Sequence, residues 1–325
     1  MDRQELNRVR ELMGTKPRTD VNNCTHFVRG GEDVKVRMIG PHPLPNFYAG
    51  MFVMAVQTWG GVGDTGHDKW NRASPYIRKQ VVLAILQRKA LPLALEYPQF
   101  LFEINGCSRS AFDQIARVRV GATISSMGVR DNAHPNIPVI VPPRVYDSPT
   151  AREDFEEGVL ATKRAYFKLI AAGGGRQSWQ DARALLPMGM AHRFCLNINY
   201  ASLANLCSNR LKFCEQYDTV TVAWKLRQEL MRYYPTLAVA LRPGCDFAKR
   251  CTYHEAYSLS EAFGCLFQGC GRWPDPDPNS EFNWSAADRK DIEAWLGGRV
   301  PDGDEPIHWD EAALSDRHWF EESIP

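Results

Sequence analysis

Hydrophobic and polar positions alternate over residues 34–40, VKVRMIG, and a period of two predicts a strand. Residues 99–105, QFLFEIN, repeat the pattern. They put Phe100, Phe102 and Ile104 on one face, and Gly106 reads as the end of the strand. The period lengthens to that of a helix over 47–57, and again over 76–90, where Ile77, Val81, Leu83, Ala84 and Leu86 recur at helical spacing. Pro41, Pro43 and Pro45 break the chain ahead of the first of these helices. Ser108 or Ser110 can cap the next one, and Ser110 with Asp113 makes a capping box. Thr150 with Glu153 makes another box, opening a helix that runs to Gly173-Gly174-Gly175. Ser178 with Asp181 opens a short segment that ends at Pro187. Residues 199–216 and 218–233 read as helices, the second stopped before Pro235. The first 13 residues, MDRQELNRVRELM, read as an amphipathic helix, and residues 14–33 are polar and turn-rich. Residues 59–74 are rich in Gly and Asp. Their glycines do not follow a strand and no P-loop lysine accompanies them, so the segment reads as a surface loop. The tail, with RWPDPDPNSEFNW and GDEPIHWDEAALSDRHWFEE, reads as an irregular, acidic extension.

Composition changes this picture little. With 44% hydrophobic and 24% charged residues, the 325-residue chain is that of a folded protein able to bury a sizeable core. A net charge of +1 argues against a globally basic nucleic-acid binder but leaves room for a local basic pocket. The cations are biased to Arg, 28 against 11 Lys. That bias suits bidentate phosphate binding, and a GC-rich coding sequence would produce it equally. No apolar run approaches the ~20 residues of a membrane-spanning helix. The nine Cys lack a short CxxC pair, and the N-terminus is no signal peptide. Free thiols, no metal centre and a cytoplasmic location are therefore expected.

Two segments carry candidate chemistry. In 106–130, GCSRSAFDQIARVRVGATISSMGVR, Gln114 and Arg117 are three apart and share a helix face, with Arg119 at the helix end. A small, hydroxyl-rich loop, 121–130, follows and is closed by Arg130. Small residues, backbone N–H groups and Arg can hold a phosphate; a solvated, Arg-bearing helix end is the plainer alternative. In 182–217, Asn199, Ser202, Asn205 and Asn209 recur at three- and four-residue spacing, and Arg210 closes the stripe. Leu203 and Leu206 imply burial, and buried amides need partners. A planar, heteroatom-rich ligand supplies them, and so does a polar interface between helices.

Both segments, in this order and separation, resemble the flavin-dependent thymidylate synthases, the ThyX family. The first resembles the family's SR–helix–Q-x-x-R-H-R block and its phosphate loop. The second resembles AR-x-x-LP…N-x-x-SL-x-N-x-x-x-x-R…AQ through Ala182-Arg183, Leu186-Pro187, Asn199, Ser202-Leu203, Asn205, Arg210 and Gln216. LEYPQFLFEI is similar to a further block. The likeness covers roughly residues 34–240. Departures fall at Val118 for the middle His of R-H-R, at Tyr97 for a His, at Ala201 for an Arg, and at Asp131 for a Tyr. The loop Arg is displaced by one position, to Arg130.

The resemblance implies an α/β (α+β) fold with a central, mainly antiparallel twisted sheet flanked by helices. It implies a helix and arm at 1–33, a catalytic domain at 34–250 and an irregular extension at 251–325. The implied reaction is reductive C5-methylation of a uridylate, with methylene-tetrahydrofolate as carbon donor and NADPH-reduced FAD as hydride source. The family uses no cysteine nucleophile on the pyrimidine and assembles as homotetramers with flavin at subunit interfaces. Residue by residue, Arg210 would contact and polarise uracil. Gln114, Arg117, Ser125, Ser126, Gly128, Arg130 and Arg183 would hold the nucleotide. Arg117, Arg119, Asn199, Asn205, Tyr97, Gln99 and Thr58 would hold flavin. The altered R-H-R and the reshaped loop bring the sequence nearer to the UMP/dUMP methylases of peptidyl nucleoside antibiotic (polyoxin-type) pathways, so UMP and dUMP are both expected substrates. A strictly dUMP-specific synthase and a member that binds nucleotide without flavin are the alternatives.

Overall fold

The computed structural model of the chain describes residues 25–41, 43–59, 65–86, 92–129, 138–173, 176–212, 215–241 and 318–324. Short strands alternate with helices: β1 (Phe27–Arg29), β2 (Lys35–Ile39), α1 (Phe47–Trp59), α2 (Gly66–Arg72), α3 (Pro75–Leu86), β3 (Gln99–Ser108), α4 (Arg109–Ile115), β4 (Ala122–Ser126), β5 (Val139–Val141), α5 (Pro149–Gly173), β6 (Ala191–Asn199), α6 (Tyr200–Arg210), α7 (Tyr217–Met231) and α8 (His318–Glu321). Four strands form an antiparallel sheet in the order β2-β3-β6-β4. β1 and β5 form a separate parallel pair, with Phe27, Val28 and Arg29 opposite Val139, Ile140 and Val141. β1 therefore lies within the segment, 14–33, that its polarity assigned to turns. The chain divides into two units. The first holds the described residues of 1–35, 104–116 and 124–195, and the second those of 36–103, 117–123 and 196–325.

The strand that begins at Gln99, in the second unit, does not stop at Gly106, in the first. It continues to Ser108, with Gly106 at φ +85°, where a Cβ would strike the Asp33 carbonyl. Glycine here permits close backbone approach inside a strand. Ser108 is the cap of α4: its Oγ accepts from the Ala111 N–H at 3.1 Å. Asp113, assigned to a box with Ser110, instead pairs with Arg109 at 3.0 Å, one turn earlier. α5 opens on Pro149, so Thr150 lies inside the first turn and is not its cap. Its inward stripe is Val159, Lys163 and Tyr166. Ser178 likewise sits within the short helix Arg176–Ala182 rather than opening it.

In the second unit Tyr48, Met51, Phe52 and Ala55 bury one face of α1. The segment read as a surface loop, 59–74, contains α2, whose Trp70 is fully buried. Thr65 and Asp68 form its capping box, the same Thr-x-x-acid signal that was read elsewhere in the chain. Residues 60–64 lie outside the described residues. α3 is buried through Val82, Ile85 and Leu86, while Ile77 is exposed. The helix expected over 199–216 is two elements: β6 ends at Asn199 and α6 stops at Arg210.

The end of the extension is not irregular. α8 and the residues after it pack on α1–α3. Phe320 is buried and stacks on Tyr48 with ring centroids 4.7 Å apart, and Trp319 stacks on Tyr234 at 5.8 Å. The buried Arg78 guanidinium, lying 4.6 Å over the Trp70 ring, donates to four carbonyls. These are Trp70 O (2.8 Å), Phe320 O (2.7 Å), Glu322 O (3.0 Å) and Asn71 O (3.4 Å). Asn71 Nδ2 donates to Ile324 O, and the Ile324 N–H returns a bond to Asn71 Oδ1, each at 3.0 Å. A buried cation is tolerable only while such acceptors stay in place. Deleting 318–325 is expected to cost about 3 kcal/mol in urea denaturation, and Arg78→Ala a similar amount. The double variant should cost less than the sum, because both changes remove the Arg78 bonds to Phe320 O and Glu322 O. Full additivity would contradict this coupling.

Candidate functional site

The chemistry-bearing residues of the second unit converge on one junction. β6 hands over to α6 at Asn199, which has extended backbone and caps the helix: its Oδ1 accepts from the Ser202 N–H at 2.9 Å. The Asn199 N–H donates to Gly121 O at 2.9 Å, and Ser202 Oγ donates to Val120 O at 2.6 Å. Gly121 is in the left-handed region, φ +64°. A Cβ there would strike the Asn199 amide and lie 2.6 Å from Ser202 Oγ. The β6–α6 junction therefore grips segment 117–121, which brings the two sequence segments together.

That geometry revises the polar stripe. Asn199 is a cap, not a member of a helix face, and Ser202 is spent on Val120. Asn205 and Asn209 are exposed and bonded to one another, Asn209 Nδ2 to Asn205 Oδ1 at 3.2 Å. α6 is buried instead through Leu203, Leu206 and Cys207. Burial pushes the Cys207 thiol up to about 12, which leaves little thiolate at neutral pH. Gln114 and Arg117 do not share a helix face either. α4 ends at Ile115 with Ala116 as its C-cap, so Arg117 and Arg119 lie beyond it. Both are exposed, and neither pairs with another described residue. Val120, beside them, is 85% exposed.

Arg210 stands in the last turn of α6, where the helix dipole favours a cation. Its Nη1 donates to Glu215 Oε2 at 2.6 Å, with both side chains less than one-fifth exposed. Sequence reasoning missed Glu215. The signal available was a carboxylate two residues ahead of the start of α7. Tyr97 is exposed and packs edge-on against Phe47, and Gln99 Nε2 donates to Asn197 Oδ1 at 2.9 Å. Thr58 lies on α1, and its side chain is outside the described residues.

The first unit carries Gln114, Ser125, Ser126, Gly128 and Arg183. Segment 121–130, expected as a loop, is largely strand. Ser125 and Ser126 are exposed at the end of β4, and the Met127 N–H donates to Arg193 O at 3.0 Å. A Cβ at Gly128 would meet open space, so that position accepts a side chain freely. Arg183 is exposed at the start of the 3₁₀ turn Arg183–Leu185, and Gln114 is half-buried on α4. Arg130 lies outside the described residues, as do the N-terminal helix at 1–13 and residues 242–317. Among the described residues no group of three His, Cys, Asp or Glu could hold a metal ion, and no helix is long and apolar enough to cross a membrane.

The family model described as thymidylate synthase complementing protein, Thy1, matches residues 64–236, which include both segments. The chain belongs to the Thy1 family. This Thy1 chain is 29% identical over 168 residues to the flavin-dependent thymidylate synthase of Sulfurisphaera tokodaii, covering 51% of this chain and 63% of that protein. It is 28% identical over 155 residues to that of Geobacter sulfurreducens, covering 46% and 64%. It thus spans less than two thirds of these relatives. Its fold is similar to the crystal structure of a UMP/dUMP methylase, PolB from Streptomyces cacaoi, bound with 5-Br dUMP. The TM-score is 0.53 and the identity 13%, over 66% of this chain and 96% of that one. The mixed fold with an antiparallel sheet, expected from the resemblance, is therefore the one this Thy1 chain adopts.

Two outcomes follow from the junction. Gly121→Ala combines a left-handed backbone with a clash against the cap and should destabilise by about 2 kcal/mol in thermal or urea melts. Neutral behaviour would mean that the grip is not rigid. Iodoacetamide at pH 8 should label Cys207 only after unfolding, as peptide mass mapping would report. Its raised pKa also makes stability fall as pH rises from about 9, the model thiol value, toward about 12.

Proposed function

We propose that this chain catalyses flavin-dependent reductive C5-methylation of a uridylate, accepting UMP as well as dUMP. The observation that carries this reading is the grip of the Asn199–Ser202 junction on Gly121. It holds the Arg117–Arg119 arm against the element that ends in Arg210. In this reading residues 34–250 form the catalytic domain, preceded by an arm and followed by an extension, and the protein works as a cytoplasmic homotetramer.

The residues present fit a phosphorylated flavin. The arm offers two exposed guanidiniums, contains no carboxylate between Arg117 and Gly121, and ends in exposed backbone and Val120. Bound FAD would supply the hydride after reduction by NADPH, and methylene-tetrahydrofolate the carbon. Arg117 and Arg119 would hold its phosphates. Asn205, Tyr97, Gln99, Thr58 and the remaining amide hydrogens of Asn199 would line its edges.

Gln114, Arg183, Ser125, Ser126, Gly128 and Arg130, with Arg117, would bind the nucleotide. Arg210 would donate to the uracil carbonyl edge. A guanidinium there would stabilise the negative charge that makes C5 nucleophilic. The chemistry asks for no thiolate on the pyrimidine. A pocket that tolerates a 2′-hydroxyl discriminates weakly against its absence, which supports use of both nucleotides.

The purified chain should take up FAD, show a flavin spectrum and bleach anaerobically with NADPH. Product mass should show one added methylene unit on both UMP and dUMP. Arg210→Ala should lower turnover ~10²–10³-fold. Near-normal turnover in that variant would remove Arg210 from the uracil site. Wholly inert UMP would restrict the activity to dUMP, and failure to bind flavin would favour a nucleotide-binding member without redox chemistry.

A further inference from the structure

We propose that Glu215 is the positioning residue of Arg210, holding its guanidinium in the orientation that receives the pyrimidine. This deepens the reading above and rests on it. α6 and α7 are joined by a short connector, and Glu215 is its last residue but one before Tyr217 opens α7. The Glu215 N–H donates to Lys212 O at 3.0 Å, which ties its backbone to the residues that follow α6. Its carboxylate then reaches back to Arg210 Nη1 at 2.6 Å, a charge-assisted bond at the short end of its range. Each partner sits where a helix dipole favours its sign: Arg210 at the C-terminal end of α6, Glu215 ahead of the N-terminal end of α7. Both side chains are more than four-fifths covered, so water screens the pair less than it would a surface pair.

The pair does two things at once. A free arginine side chain has many rotamers, and ordering them on binding costs affinity. Glu215 orders Arg210 beforehand. It engages the guanidinium at Nη1, one end of the planar fork, and so sets the direction of the whole group. The carboxylate also offsets part of the guanidinium charge, and the charge that remains acts from a set orientation. The block that the chain resembles carries Ala at this place, before the Gln that matches Gln216. The carboxylate is therefore a feature of this chain and not of the motif.

The test is a double-mutant cycle on the full chain, read as the calorimetric Kd for dUMP and for UMP. The variants are Glu215→Ala, Glu215→Gln, Arg210→Ala and the pair Glu215→Ala with Arg210→Ala. Glu215→Ala is expected to weaken both nucleotides roughly three- to tenfold, with Glu215→Gln in between, because its amide oxygen still accepts the bond. In the Arg210→Ala background, removing Glu215 should change Kd less than twofold. Melting curves identify any variant that has merely lost its fold, and the better-folded Glu215 variant then carries the comparison. If Arg210→Ala leaves nucleotide affinity unchanged, the uracil-site reading fails and the proposal with it. If Arg210→Ala weakens binding but Glu215→Ala does not, the proposal alone is overturned. The same holds if the Glu215 effect persists in full without Arg210.

Discussion

A helix cap that binds a second segment is the constraint on which the site depends. Asn199 must be extended to cap α6, and extended backbone is also what ends β6. The same residue turns its N–H to Gly121 O, and Ser202, one turn on, turns its hydroxyl to Val120 O. Three hydrogen bonds thus settle where the strand stops, where the helix starts and where the arm from 117 to 121 lies. None can be moved without moving the others. Only glycine suits position 121, because a positive φ and a Cβ facing Asn199 exclude every other residue at low cost.

The arginines of the second unit show how charge is distributed around that junction. Arg78 and Arg227 are buried and donate to main-chain carbonyls, Arg227 Nε to Ala238 O at 3.0 Å. Such cations are structural: they tie distant segments together and would be costly with their acceptors removed. Arg210 is mostly covered and meets a carboxylate, that of Glu215. Arg117 and Arg119 are exposed and remain available to an anion. Moving from the core outward, the guanidiniums pass from buried and bonded to carbonyls, through paired with a carboxylate, to exposed. The segment 318–324 belongs to the first class, since its carbonyls accept from Arg78 and its aromatic rings close over α1.

Much of this was legible in the sequence where a period or a dense motif carried it. Alternation placed Phe100, Phe102 and Ile104 on the buried face of β3, and helical spacing marked α1, α3 and α7 to within a few residues. The order of the two segments pointed to the family before any geometry was known. What failed had a common cause: polar residues were assigned to the wrong local partner. Asn199, Ser202, Asn205 and Asn209 have helical spacing, yet the first is a cap and the second is bonded outside its helix. Thr150 and Ser178 fit box patterns within helices that begin earlier, while Thr65 and Asp68 form a true box in a stretch whose glycines suggested a loop. Gly106 and Gly121 look alike as punctuation, but each permits close approach inside a continuing structure. Glu215 was missed because it lies between two helices, where no periodicity marks a residue, and its pairing with Arg210 shows only in the structure.

The most direct measurement of the central claim is hydrogen exchange of the full chain with and without FAD. The account predicts that the cofactor slows exchange together in peptides spanning 116–123 and 196–206, since one junction holds both. Protection of either segment without the other would contradict the idea that the cap and the arm form a single cofactor-binding unit.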